Sequence, residues 1–421
     1  MVATAETRRA IEAVWRIESV RLLAGLTRIV RDVGRAEELA QDALVAALEQ
    51  WPESGIPENP GAWLMATAKH RAIDHFRRAA LVNLKHEELG RDLARRENVV
   101  PDLAAAIDDN IGDDLLRLVF IACHPVLSTD ARVAVTLRLL GGLTTDEIAR
   151  AYLASEPTIA QRIVRAKRTL SEAHIPFEVP RGTEFTTRLS SVLQVIYLIF
   201  NEGYSATAGD DWMRPALCEE ALRLGRILAE LVPKEPEVHG LVALMEIQAS
   251  RSKARMGPSG EPILLLDQDR TRWDRLLIGR GLAALERVER LDGRRGPYAI
   301  QAAIAACHAG ATTAKETEWS RIAALYSDLA EVSPSPVVEL NRAVAVGMAS
   351  GPAAGLELVD ALREEPALRG YHLLFSVRGD LLKKLGRFDE ARVEFERAAS
   401  MTRNARERNL LLERARTLSL Q

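Results

Sequence analysis

The sequence of 421 residues has few cysteines, few aromatic residues and no excess of either charge. Its three cysteines, Cys123, Cys218 and Cys307, are far apart, so neither a disulfide framework nor a CxxC metal site is indicated. Lysine and arginine number 56 against 59 acidic residues, giving a net charge of -3. That balance excludes strong, nonspecific binding of nucleic acid by the free chain.

Long apolar runs are also lacking. The longest, residues 192–200, is interrupted by Gln194 and is far shorter than the roughly 18 to 20 residues that cross a bilayer. The N-terminus mixes acidic with basic residues and has no signal-peptide core. We therefore expect a cytoplasmic protein without a membrane partner.

Helical periodicity is what the sequence does have. Apolar residues recur with the helical period almost everywhere and strand-like runs are scarce, so we predict an all-α fold. Charge alternates locally: residues 69–78 are basic, residues 97–114 contain six acids and no base, and residues 162–168 are basic again. Polar and proline-rich stretches then divide the chain into segments, which we take as 1–80, 81–112, 113–178 and 179–421.

Residues 144–170 have the pattern of a helix-turn-helix. Thr144 and Glu147 are spaced as a capping box, and Ser155 can cap the second helix. The second helix should bury one apolar stripe, formed by Ile159, Ile163, Ala166 and Leu170. Its outward face carries side chains suited to the major groove, namely Thr158, Gln161, Arg162, Arg165 and Arg168. An ordinary amphipathic helix pair with a solvated basic face is the alternative.

Two further helices are predicted before this motif. The first should bury Leu39, Ala43 and Ala46 and expose a polar face of Glu37, Glu38, Gln41 and Asp42. The second covers residues 61–78, and its Trp63 can pack against the core. Its expected exposed side chains are Lys69, His70, Arg71, Arg77 and Arg78. A basic helix interleaved with aromatic residues suits DNA that is bent or unpaired.

The C-terminal part contains a repeat signal. Residues 382–398 follow the spacing of a tetratricopeptide helix pair, in which Gly386 and Ala391 allow close approach and Phe388 and Phe395 fill the space between helices. A similar rhythm of small residues lies 36 positions upstream, so we place repeats near 337–400. At least three stacked pairs are needed to bury such faces. The repeats form either a scaffold without a ligand or a concave surface for a partner peptide.

Several polar motifs precede the repeats. Their residues are Glu202, Tyr204, Asp267, Asp269, Arg270, Trp273 and Tyr298. The three acids could form a catalytic or metal cluster, but we favour buried pairs with Arg270 and Arg272 that fix helices in register. No phosphate-binding glycine loop, HExxH or GxSxG element accompanies them, so we predict no catalytic residue, no metal, no cofactor and no enzymatic activity.

The order of these parts resembles a bacterial extracytoplasmic-function sigma factor. The resemblance is carried by AEELAQDAL, PGAWLMATAKHRAIDHFRR and LTTDEIARAYLASEPTIAQRIVRAKRTL, in that order. Later segments, YLIFNEGYSA, LDQDRTRWDRLLIGRG and GPYAIQAAIAACHA, are similar to the subgroup with a C-terminal tetratricopeptide-like extension. The resemblance thus covers nearly the whole chain.

The resemblance implies a function for each segment. Residues 1–80 would be region 2, residues 113–178 region 4, and residues 179–421 the extension, with an acidic linker at 81–112. It implies that Glu37, Glu38, Gln41 and Asp42 dock on core RNA polymerase. It also implies that the helix from Trp63 to Arg78 captures and melts the minus ten element of promoter DNA, and that Thr158 to Arg168 read the minus thirty-five element.

The extension would modulate activity, and whether it binds a protein, a metabolite or only its own sigma domains stays open; the polar motif residues would have a regulatory or interdomain role. The alternative from a different class is a helix-turn-helix regulator with a repeat-type sensor domain that acts without polymerase. Such a regulator would bind its duplex specifically on its own, which discriminates the two hypotheses.

Overall fold

The computed structural model describes residues 2–87, 111–152 and 154–418, and within these ranges the side chains of residues 7–15, 17–73 and 112–418. The described residues are overwhelmingly helical, which confirms the all-α prediction. The chain divides into two compact units, residues 1–195 and 196–421, and each is described by itself.

The first unit contains the two sets of helices predicted from the N-terminal half. Its helices are α1 (Val2–Val30), α2 (Val33–Ser54), α3 (Pro60–Glu87), α4 (Ile111–Ala122), α5 (Thr129–Leu139), α6 (Thr145–Ala151) and α7 (Glu156–Glu172), and α8 (Gly182–Tyr204) begins in it. The first three pack together and bury Leu26, Ala43 and Leu64. Most of the acidic linker predicted at 81–112 lies outside the described residues.

The helix-turn-helix forms as predicted from α6 and α7. Thr144 and Glu147 make the reciprocal capping box, and Ser155 accepts from the backbone N–H of Thr158 at 3.3 Å. Ile159 and Ile163 are buried with the rest of the predicted stripe, so α7 docks on α5 and α6 through its apolar side. The opposite side of α7 is thereby left to solvent.

The second unit contains the end of α8 and ten further helices in its described part. They are α9 (Pro215–Leu231), α10 (Pro236–Ala249), α11 (Arg275–Arg290), α12 (Pro297–Gly310), α13 (Trp319–Val332), α14 (Pro336–Ala349), α15 (Pro352–Ala361), α16 (His372–Lys384), α17 (Phe388–Met401) and α18 (Ala405–Leu418). Most are joined by short turns. The exception is the long connection from α10 to α11, which contains single 3₁₀ turns at Ser252–Ala254, Leu265–Asp267 and Arg270–Arg272 and an isolated antiparallel bridge between Met256 and Pro262.

The predicted repeat pair is formed by α16 and α17. Ala391 and Phe395 are fully buried between them. The closest approach occurs at Gly379, where an added Cβ would lie 2.8 Å from the Phe395 ring. Gly386, which we expected to allow this approach, instead makes the turn with φ of 75°.

Two short strands, which the periodicity did not predict, close the second unit. β1 (Ala208–Gly209) pairs in parallel with β2 (Arg403–Asn404). The fully buried Asn404 side chain donates to the backbone oxygens of Ala206 and Asp211, at 3.0 and 2.8 Å. Strands of two residues leave no alternation in a sequence, so no pattern could have indicated them.

Candidate nucleic-acid interface

The outward face of α7 carries the side chains predicted to contact DNA. Thr158, Gln161 and Arg165 are exposed, and Arg165 makes no ion pair with any described side chain. Arg168 is exposed and pairs with Glu172 at 2.6 Å. Arg162 is half-buried and lies 3.5 Å from Asp130. The face is therefore basic and accessible, with Arg165 its least constrained cation.

The start of α3 carries Trp63 at the margin of the core formed by α1, α2 and α3. Its ring is half-buried and meets buried Trp51 edge-on, with centroids 5.2 Å apart. Further along, His70 is exposed, while Lys69 is partly buried and burial, followed by Arg28, lowers its pKa. The two ends of this stretch thus differ: the tryptophan is packed and the histidine is free to reach a ligand.

Arg71 connects the two candidate surfaces of region 2. It lies 3.5 Å from Asp42, so a residue predicted for DNA pairs with a residue predicted for polymerase. The side chains of Arg77 and Arg78 lie outside those that the structure describes. Their predicted contribution to DNA binding stays a prediction.

The polar face of α2 agrees with the prediction in three of its four positions. Glu38, Gln41 and Asp42 are exposed, but Glu37 is only 9% exposed, so the prediction that it faces solvent is wrong. The reason is that two cations, one on α5 and one on α7, cover it. Arg138 of α5 donates from Nε to Glu37 Oε1 at 2.9 Å, and Lys167 of α7 forms an ion pair with Oε2.

The three acids of the extension do not form the cluster that we considered. Glu202 pairs with Arg214 and accepts from the hydroxyl of Thr207, while Asp267 and Asp269 are exposed. Throughout the part of the chain that is described, no group of three or more His, Cys, Asp or Glu side chains could hold a metal ion. The favoured pairs with Arg270 and Arg272 are also wrong, because Asp269 instead accepts from Thr271 as a 3₁₀ cap.

Two aromatic residues of these motifs meet arginines that sequence reasoning missed. Arg251 lies over both Tyr204 and Trp273, with Cζ 5.7 Å from each ring centroid. Arg255 lies 3.5 Å from the centre of the Tyr204 ring. The sequence did contain one signal for these contacts: Arg251 and Arg255 are four residues apart and directly follow the apolar helix α10.

Arg270 joins the same neighbourhood, whereas Tyr298 packs elsewhere. Arg270 donates from one terminal nitrogen to the carbonyls of His308 and Ala311, both at 2.7 Å. Tyr298 meets Tyr197 edge-on at 5.4 Å. The structure therefore brings together Tyr204, Arg270 and Trp273 but leaves Tyr298 in an aromatic pair of the helical core.

No helix within the described ranges is long and apolar enough to cross a membrane.

Three family models match the chain in sequence order. Sigma-70 region 2 matches residues 18–81, Sigma-70, region 4 matches residues 117–170, and a family of unknown function, DUF6596, matches residues 188–289. Helices α2 and α3 lie in the first match, and the helix-turn-helix lies in the second. The fold and these matches define a sigma-70 type transcription initiation factor.

Individual relatives narrow this class. The chain is 31% identical over 152 residues to the ECF RNA polymerase sigma factor SigK of Mycobacterium ulcerans, covering 34% of this chain and 75% of that protein. It is 26% identical over 171 residues to the probable ECF sigma factor SigI of Mycobacterium tuberculosis, covering 40% and 57%. An uncharacterized protein of Rhizobium meliloti is 45% identical over 387 residues, covering 91% and 90%. The chain belongs to the extracytoplasmic-function family of RNA polymerase sigma factors, which direct promoter recognition and transcription initiation.

Proposed function

We propose that three surfaces of the first unit divide the work of initiation. The exposed part of α2, with Glu38, Gln41 and Asp42, contacts core RNA polymerase. The face of α3 from Trp63 to Arg78 captures the minus ten element, and the outward face of α7 reads the minus thirty-five element. Each of the two DNA-reading helices offers few phosphate contacts, so each binds DNA weakly on its own. Promoter specificity therefore arises when polymerase holds both helices at the promoter spacing.

We further propose that the arrangement described is a closed form of the sigma factor. The observation that carries this is the Glu37 carboxylate, on which Arg138 and Lys167 converge. A helix assigned to polymerase binding is thereby tied to the helix assigned to DNA reading. Polymerase would have to separate α2 from α7 before both could bind their targets.

The two ion pairs on Glu37 stabilise the closed form, but they are weak enough for contacts with polymerase to replace them. The three side chains retain 11 to 24% of their exposure, so solvent screens part of the attraction. Pairs of this kind contribute about 1–3 kcal/mol in total, well below the free energy of a stable protein interface. Binding of polymerase can therefore overcome them.

Neutralising Glu37 tests the closed form in the free chain. We expect Glu37→Gln to speed amide hydrogen exchange in α7 by about tenfold, because a loss near 1.4 kcal/mol is tenfold in an opening equilibrium. The matched control is Glu38→Gln, one position along, whose carboxylate pairs only with Arg35 within its own helix among the described residues. Equal exchange in both variants would rule out the closed form.

Charge reversal tests the polymerase surface separately. Asp42 is exposed and its ion pair with Arg71 is screened by solvent, so Asp42→Lys should weaken binding to core polymerase while changing the melting temperature of the free chain only slightly. Unchanged affinity for the core enzyme would remove Asp42 from this surface. The test does not depend on the Glu37 contact, so the two proposals can fail independently.

We also propose that the extension modulates initiation. Support comes from its size, since residues 196–421 form a complete unit with cores of their own. A reporter assay for transcription with substitutions confined to this unit tests the proposal. The proposal would be contradicted if every folded variant of the extension gave the same transcription activity as the wild type.

A further inference from the structure

Three arginines of the α10–α11 connection are buried without a carboxylate partner. Arg251, Arg255 and Arg270 are 9%, 7% and 6% exposed, and no acidic oxygen of the described residues lies within the 4.0 Å that defines an ion pair. We call these three residues the arginine cluster. A guanidinium stays charged at any physiological pH, so burial without a counter-charge costs several kcal/mol in typical cases.

Other buried arginines of the same unit show what compensation looks like. Arg378 donates to Asp360 and to Glu394, both at 2.7 Å. Arg214, which is partly buried with a side chain 13% exposed, pairs with Glu202. These arginines of the second unit are thus neutralised by a carboxylate, whereas the residues of the arginine cluster are not.

Arg270 is compensated by the backbone. Its terminal nitrogens donate to the carbonyls of His308 and Ala311 and to the hydroxyl of Thr317, the last at 2.9 Å. These carbonyls lie at the C-terminal end of α12, where the helix dipole favours a cation. Arg270 thus has a structural role and raises the positive potential of the cluster.

Arg251 is only partly satisfied. It donates to the hydroxyl of Tyr204 and to the side-chain oxygen of Gln248, which are both neutral. Burial and the neighbouring Arg255 lower its pKa. Two neutral acceptors leave its charge without a counter-ion.

Among the described residues, the guanidinium of Arg255 contacts aromatic rings and no hydrogen-bond acceptor. Its guanidinium makes no hydrogen bond to the described residues and faces Tyr204 at 3.5 Å and Trp212 at 5.6 Å. Its Nε and the indole Nε1 of nearby Trp273 are buried donors without an acceptor. Buried donors are usually hydrogen-bonded, and with the Nε of Arg270 three donors of this neighbourhood have no acceptor among the described residues, so an acceptor on a ligand would satisfy groups that these residues do not.

The lowered pKa of neighbouring His308 reflects the same positive potential. Burial, together with Arg251 and Arg270, lowers the pKa of His308 to about 4. The imidazole is therefore neutral at physiological pH and adds no further cation. A ligand that brought negative charge here would be drawn by the two open arginines and not by His308.

We propose that Arg255 and Arg251 bind the oxyanion of a small molecule, a carboxylate or a phosphate group, between Tyr204, Trp212 and Trp273. The planar fork of Arg255 matches either group with two parallel hydrogen bonds. Tyr204 and Trp212 are half-buried, whereas Trp273 is buried. The extension thereby gains a binding site for a metabolite-sized anion, and this inference rests on the arginine cluster alone and not on the closed form.

The test titrates the full chain with inorganic phosphate and, separately, with benzoate, each against sodium chloride at equal ionic strength. We expect one of the two anions to raise the melting temperature by a few degrees and to change tryptophan fluorescence, because a ligand that binds only the folded state stabilises it. The arm that responds distinguishes a phosphate site from a carboxylate site.

Variants of the cluster decide whether the effect comes from this site. Arg255→Met keeps an unbranched side chain and removes the charge, and should weaken binding at least about tenfold. Arg255→Lys should bind with intermediate affinity, because it keeps the charge and loses the fork. The control is Arg272→Gln, which removes the same charge from an exposed position of the same connection.

Two results would overturn the proposal. One is a wild-type chain that responds to neither anion beyond chloride. The other is an Arg255→Met variant that is folded by circular dichroism and responds as strongly as the wild type.

Discussion

Arg188 of α8 donates a hydrogen bond to the backbone carbonyl of Phe120 in α4, at 3.0 Å. It is 4% exposed, and its guanidinium lies 5.7 Å from the Phe120 ring centroid. One turn on, Ser191 donates to the carbonyl of Cys123 at 2.9 Å. The first half of α8 therefore supplies donors to the carbonyls at the end of α4, which no helical N–H can satisfy.

Replacing Arg188 should destabilise the region 4 part of the first unit. We expect Arg188→Ala to cost about 2–4 kcal/mol, because a buried carbonyl loses its donor and a packed side chain is removed. Hydrogen exchange in α4 and α5 measures the effect locally. The control is Arg181→Ala, an exposed position just before α8; equal protection in both variants would contradict the assigned role.

The same contacts change how a truncation should be designed. A chain ending at residue 180 loses Arg188 and Ser191 along with the extension, so we expect it to melt below a chain ending at residue 204, the last residue of α8. Both are compared by thermal denaturation and in a transcription reporter. If the two melt alike, α8 is dispensable for the first unit, and any loss of transcription belongs to the extension alone.

Arg165 should contribute more to promoter recognition than its neighbours on α7. It is exposed and has no ion pair within the described part of the chain, whereas Arg162 and Arg168 each face an acid. We expect Arg165→Ala to cost about 1–3 kcal/mol in affinity for the minus thirty-five element if it contacts a base. Footprinting with the reconstituted holoenzyme measures this.

The control for Arg165 lies on α6. Arg150 is exposed and pairs with Asp146 at 2.9 Å, so Arg150→Ala removes equal charge from the same motif without touching the reading face. An Arg165→Ala footprint indistinguishable from that of the control would refute the assignment of Arg165.

Gly379 should tolerate no side chain. A Cβ there would lie 2.8 Å from the Phe395 ring, so Gly379→Ala must displace a buried aromatic residue and should cost about 1–3 kcal/mol. Gly370→Ala is the matched control, since a Cβ at that position meets no atom within 4 Å. Urea denaturation of both variants measures the difference, and equal midpoints would contradict the close packing of α16 on α17.

Native thiols should be nearly inert near neutral pH. Burial raises the pKa of Cys123 to about 11 and that of Cys218 to about 12, so about one thiol in a thousand or fewer is ionised at about pH 8. We expect slow reaction with Ellman's reagent in the folded chain, faster reaction as the pH rises toward these values, and rapid reaction of Cys123, Cys218 and Cys307 in denaturant. Fast labelling of the native protein would show that these sites open readily.

Local sequence patterns predicted the elements whose determinants are themselves local. The capping box of Thr144 and Glu147, the cap at Ser155 and the buried stripe of α7 depend on neighbours within one or two helical turns. These features were therefore visible before the structure.

The features that the sequence did not reveal depend on distant partners. Glu37 belongs by its spacing to a polar face, and only Arg138 and Lys167, 101 and 130 residues away, make it buried. The arginine cluster is likewise assembled from an irregular connection that has no period. Binary patterning assigns a residue to a face of its own helix, but it cannot say what covers that face.

The pairing of β1 with β2 gives the extension a property that a linear stack of helix pairs lacks. In an open stack the terminal pairs contact one neighbour each and fray independently. Here Asn404 is joined to the carbonyl of Ala206, 198 residues earlier, so the last helices are tied to the loop that also carries Trp212. The first and last segments of the extension are thus joined directly, and we expect them to melt together as one cooperative transition.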